Sequence, residues 1–106
     1  MTIKESFQLS TRVYTINEIR KMIQPIAESF GVERIYLFGS YARGEANANS
    51  DLDFRIDKGK VSGFAFGGLI NAIEDAFDKR VDVVTTKSLD SDFLKSIEKE
   101  EVLLYA

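Results

Sequence analysis

Gly39-Ser40-Tyr41-Ala42-Arg43-Gly44, followed at a fixed distance by Ser50-Asp51-Leu52-Asp53, is the stretch on which the reading of this chain turns. A glycine-serine turn that can hold phosphate stands ten residues ahead of two carboxylates that can hold metal ions. Arg34-Ile35-Tyr36-Leu37-Phe38 leads into the glycine and is a short β-branched and aromatic run, which predicts a strand. A strand ending in Gly-Ser and passing into a helical turn points backbone N–H groups outward, where they and the Ser40 hydroxyl suit the terminal phosphates of a triphosphate. Glycine at 39 lets backbone approach closely, with no Cβ in the way.

On the other side of the polar loop 45–49, residues 51–57 alternate. Asp51, Asp53, Arg55 and Asp57 fall on one face and Leu52, Phe54 and Ile56 on the other, which predicts a half-buried strand with its charged face open. Asp51 and Asp53 then point to the same side, and two like charges so close favour a cation between them. Asp82, within Arg80-Val81-Asp82-Val83-Val84, is the candidate third carboxylate on a neighbouring strand. Three such groups suit two Mg²⁺ ions, which together stabilise the attacking and leaving oxygens of an in-line displacement. Arg43 is the candidate phosphate clamp. Arg55 and Asp57 are expected to pair with each other or with solvent. Taken singly, a Gly-Ser pair is usually a turn and an Asp-x-Asp usually a solvated face; their order and spacing carry the reading.

The remaining elements follow from periodicity. Thr15-Ile16-Asn17-Glu18 is a capping-box pattern, and Ile16, Ile19, Ile23, Ile26, Ala27 and Phe30 recur at helical spacing until Gly31. Pro25 is expected to kink that helix or tilt its second half. Phe66, Leu69, Ile70, Ile73, Ala76 and Phe77 predict a second amphipathic helix, and 81–85 a third strand. A last helix over 91–99, with Phe93, Leu94 and Ile97 inward, leads to a closing strand at 102–105. Residues 1–14 read as a loose arm or a short edge strand. Phe64 and Phe66 are candidate exposed apolar positions.

Composition narrows the chemistry. A single domain over 1–106 is the natural expectation, and it buries roughly two-thirds of its unfolded surface. Cysteine and histidine are both absent, which excludes a disulfide framework, a thiolate nucleophile, a zinc-finger site and an imidazole base. Ser40 is therefore expected to hold a ligand, not to attack one. Any metal must take oxygen ligands, which favours Mg²⁺. The net charge of -3 argues against a general nucleic-acid binder. No apolar run is long enough to cross a bilayer and no signal-peptide core is seen at the start, so a cytoplasmic location is expected.

At Gly39-Ser40, Asp51-Leu52-Asp53 and Asp82 the chain resembles the minimal nucleotidyltransferase domains of the DNA polymerase β superfamily. Leu37-Phe38-Gly39-Ser40-Tyr41-Ala42-Arg43-Gly44 is similar to the variant in small bacterial and archaeal members encoded beside HEPN-domain ribonuclease toxins. The resemblance covers most of the chain, from about the first helix through Asp82 and on to the end. It implies an α/β (α+β) polymerase β-like nucleotidyltransferase fold, a short mixed sheet flanked by helices. It also implies ATP as substrate, Mg²⁺ held by Asp51, Asp53 and Asp82, and nucleotide binding at Gly39, Ser40 and Arg43. In the toxin-linked members the domain is an antitoxin that moves AMP from ATP to a tyrosine of the HEPN toxin. Phe54-Arg55-Ile56-Asp57 departs from the pattern, being more polar than the apolar run common after the second Asp. Larger relatives carry a further domain that grips the acceptor, so a protein partner is expected to supply part of that site here. The competing readings are a contact-only antitoxin and nucleotidyl transfer to RNA or a small molecule.

Overall fold

Thr15 opens the first helix as the pattern predicts: its side chain accepts from the Glu18 amide and the Glu18 carboxylate accepts from the Thr15 amide. Helix α1 (Ile16–Phe30) ends at Gly31, whose φ of 77° is the left-handed geometry that glycine adopts without strain. The helical span runs unbroken through Pro25, which lies on the exposed side, so the hydrogen bond it cannot donate is given up there. The computed structural model describes residues 10–106. Of the expected arm or edge strand, residues 1–9 lie outside that span, and residues 10–14 form neither helix nor strand.

After α1 come β1 (Arg34–Phe38), the short helix α2 (Gly39–Arg43), β2 (Leu52–Asp57), α3 (Gly63–Phe77), β3 (Val81–Thr85), a 3₁₀ turn (Thr86–Ser88), α4 (Ser91–Glu98) and β4 (Val102–Tyr105). The sheet order is β3-β2-β1-β4, with β1 antiparallel to both β2 and β4, and β2 parallel to β3. This is the mixed sheet flanked by helices that the sequence implies.

One face of the sheet is apolar. Ile35, Leu37, Leu52, Phe54 and Ile56 are fully buried against Ile19, Ile23 and Ala27 of α1 and Leu69, Ile73 and Phe77 of α3. Each such side chain contributes about 1.5–3 kcal/mol by leaving water, which makes this layer the main source of stability. Residues 10–14 dock at its end. The Tyr14 hydroxyl donates to the Phe77 carbonyl at 2.8 Å, and the Lys79 ammonium, itself buried, donates to the Ser10 and Ala48 carbonyls.

The opposite face departs from the expectation of an open charged surface on β2. Arg55 is only 5% exposed. Its guanidinium donates through Nε and Nη2 to the two carboxylate oxygens of Glu101 at 2.9 and 2.7 Å, through Nη1 to Thr86 Oγ1 at 2.8 Å, and lies 4.0 Å above the Tyr36 ring. Asp57 is a more distant partner at 3.7 Å and is itself bound by Arg34 and the Thr86 hydroxyl. The polar run after Asp53 is thus an internal ion-pair network in place of an apolar strand. Helix α4 also departs from expectation: Ile97 is buried, but Phe93 is 42% exposed and stands T-shaped to the Phe38 ring with centroids 6.2 Å apart. Phe66 packs against the core, whereas Phe64 is 96% exposed.

Glu101→Ala leaves the buried guanidinium with Thr86, Asp57 and the Tyr36 ring alone. The expected loss is about 2–3 kcal/mol, measured by urea unfolding, with a smaller loss for the double variant Arg55→Met with Glu101→Met, which removes both charges of the pair together.

Candidate active site

The end of β1, the start of β2 and the start of β3 meet at one end of the sheet. Phe38 is the register partner of Asp53 across β1 and β2, and Asp53 is the register partner of Asp82 across β2 and β3. In-register neighbours project from the same face, so Asp53 and Asp82 stand side by side. Asp51 lies just before β2, two residues from Asp53 and hence on the same side. The Leu52 amide donates to the Arg80 carbonyl at 3.0 Å and ties the start of β2 to the residue leading into β3.

Gly39 closes this corner. Its φ is 74°, and a Cβ there would lie 2.2 Å from Asp53 Oδ2. Two independent reasons therefore require glycine: the left-handed backbone and the carboxylate occupying the side-chain position. Ser40 is half-buried on the first turn of α2, and Tyr41 is buried in the core, which resolves its role as packing. Arg43 is exposed on the last turn. Its Nε donates to Glu45 at 2.9 Å and its Nη1 to Glu100 at 3.0 Å.

The electrostatics follow from this crowding. Burial pushes the Asp53 carboxyl up to about 6, helped by the negative charges of Asp82 and Asp51, while Arg43 opposes the shift and Glu100 adds to it. A carboxylate so disfavoured in its charged form is suited to a cation or to a proton. Among the described residues, no group of three or more His, Cys, Asp or Glu is gathered closely enough to hold a metal ion by itself. The six candidate residues from the sequence nevertheless share one corner: Gly39 against Asp53, Ser40 beside Gly39, and Asp51, Asp82 and Arg43 within electrostatic reach of Asp53.

One residue at this corner carried no sequence signal. Glu100, at the junction of α4 and β4, accepts the Gly39 amide at 2.7 Å as well as the Arg43 bond. It belongs to the charged run 98–101, which by pattern alone is a solvated helix end.

The family described as "Polymerase beta, Nucleotidyltransferase" matches residues 20–106. The chain belongs to this nucleotidyltransferase family. The protein adenylyltransferase MntA of Thermococcus cleftensis is 37% identical to it over 93 residues, which cover 83% of this chain and 94% of that one. A solved structure assigned as a minimal nucleotidyltransferase matches with a TM-score of 0.72 at 26% identity, over 84% of this chain and 95% of the other. A chain from the complex of tri-AMPylated Shewanella oneidensis HEPN toxin with MNT antitoxin matches with a TM-score of 0.57 at 23% identity, over 86% and 69% of the two chains, which shows a shared fold. Among the described residues, no helix is long and apolar enough to cross a membrane.

Two outcomes follow from the corner's geometry. Gly39→Ala forces a left-handed alanine and displaces the Asp53 carboxylate, for an expected loss of about 1–3 kcal/mol in thermal unfolding. Asp53 is protonated more readily in the folded chain than in the unfolded one. The stability linked to that proton is complete below the unfolded value near 4 and is lost as pH rises through about 6. Asp53→Asn, which has no charge to lose, should therefore be more stable than the parent at pH 7 in metal-free buffer by about 1–2 kcal/mol after allowance for solvent screening. Unfolding curves at pH 7 and pH 4 check this, and the gain should vanish at the lower pH.

Proposed function

We propose that this chain transfers AMP from ATP to a tyrosine hydroxyl of a HEPN-type toxin and so acts as its antitoxin. The observation that carries the reading is the register of Asp53 with Asp82, immediately beside the Gly39-Ser40 turn. It is supported by the adenylyltransferase name of the T. cleftensis relative and by the fold shared with a chain of an AMPylated HEPN–MNT complex.

The donor chemistry of the corner, three carboxylates with no nitrogen or sulfur ligand, fits a hard divalent cation. Asp51, Asp53 and Asp82 would hold Mg²⁺, up to two ions, whose charge would neutralise the phosphates and the crowded carboxylates. Gly39 N–H and the Ser40 hydroxyl receive the terminal phosphates, and Arg43 clamps them from the exposed side. The acceptor oxygen attacks the α-phosphorus, the bond to the bridging oxygen of pyrophosphate breaks, and pyrophosphate leaves with that electron pair. The acceptor proton passes to Asp82, which is exposed and in register with Asp53. With no imidazole in the chain, positioning and charge supply the catalysis.

A contact-only antitoxin is the second reading, favoured by the near-complete exposure of Phe64. Both are tested together. The chain, the product of its neighbouring gene, labelled ATP and Mg²⁺ should give label on the partner, with a mass increase of one AMP on tyrosine. Asp51→Ala with Asp53→Ala should lower that labelling by about a hundredfold or more. Absence of label with both proteins folded would sink the transferase reading, and full neutralisation by the double variant would establish contact alone.

A further inference from the structure

We infer that Glu100 is an internal stand-in for substrate phosphate, and that it sets the nucleotide affinity of the site by occupying the place a phosphate must take. This rests on the nucleotidyltransferase reading of the corner and adds to it a residue outside the motif.

One carboxylate oxygen of Glu100 accepts two bonds, from the Gly39 amide at 2.7 Å and from Arg43 Nη1 at 3.0 Å. A backbone N–H and a guanidinium converging on one anionic oxygen make the donor pair that a phosphate oxygen would use. These are also the groups to which the motif assigns the triphosphate. An oxygen of Glu100 and an oxygen of phosphate cannot hold both donors together. Its negative charge at the Gly39 amide also repels an incoming polyanion.

The local structure lets this carboxylate leave without unfolding anything. The next residue, Glu101, is held by both oxygens to the buried Arg55, and the amides of Glu100 and Glu101 both donate to the Ile97 carbonyl. The backbone of the junction is therefore fixed from two sides while the Glu100 side chain remains a quarter exposed. Rotation of that side chain toward solvent frees Gly39 and Arg43. Nucleotide affinity is then the affinity of the open site multiplied by the fraction of time it is open.

The test is calorimetric titration of ATP with Mg²⁺ into the parent chain, Glu100→Ala and Glu100→Gln, with adenosine as a ligand that lacks phosphate. Glu100→Ala should bind ATP about 3- to 10-fold more tightly, with Glu100→Gln between the two, and adenosine binding should be unchanged. Equal ATP affinity for parent and Glu100→Ala would overturn the inference. So would weaker binding by Glu100→Ala, because Glu100 would then assist the bound state. If neither the parent nor Glu100→Ala binds ATP while both melt cooperatively, the nucleotidyltransferase reading itself fails, and the inference fails with it. Binding by Glu100→Ala with none by the parent supports both.

Discussion

The corner is organised by the contact between the Gly39 backbone and the Asp53 carboxylate. Gly39 ends β1 and begins α2, Asp53 sits in the central strand β2, and the carboxylate occupies the volume where any other residue would carry its side chain. Because β2 is paired on both sides, Asp53 also fixes the position of Asp82 on β3. A single steric relation thus couples the phosphate-facing turn to the carboxylates. It explains why a glycine is needed and why the spacing between turn and Asp-x-Asp is short: the loop 45–49 has only to reverse the chain between antiparallel neighbours.

The two faces of the sheet solve different problems. One is an aliphatic and aromatic layer under α1 and α3, whose burial holds the chain together. The other carries charge, and it stays ordered because its central cation is matched. Arg55 meets Glu101 with both oxygens, Thr86 with a third bond and Tyr36 with a ring face. Such a pair is a weak source of net stability relative to a well-packed apolar cluster, but it is strongly directional. It pins the α4–β4 junction to the middle of the sheet and thereby presents Glu100 to Gly39.

Much of this was legible from local chemistry. The capping box at Thr15, the helix stop at Gly31 and the strands at 34–38 and 81–85 all depend on neighbours in sequence, and the structure realises them as read. The failures share a cause. Period-two alternation assigned Arg55 to an open face because its partners, Glu101 and Thr86, are 46 and 31 residues away. Helical spacing turned Phe93 inward, although on α4 Ile97 is buried while Phe93 stays 42% exposed against the Phe38 ring. Glu100 was invisible for the same reason: its partner Gly39 is 61 residues distant and no periodicity links them. Local pattern reports which face a residue occupies, and long-range pairing decides what that face meets.

The strand order has a last consequence for Asp82. Among the described residues, strand β3 is an edge, hydrogen-bonded to β2 alone, whereas Asp53 lies on a strand paired on both sides. Edge strands open by sub-global fluctuations that cost less than unfolding the whole domain. The carboxylate pair therefore straddles an inner strand and an outer one, and its geometry depends on the single ladder of hydrogen bonds between β2 and β3. A cation held between Asp82 and Asp53 would join the two strands through their side chains, so that ligand and edge would protect each other from exchange with solvent.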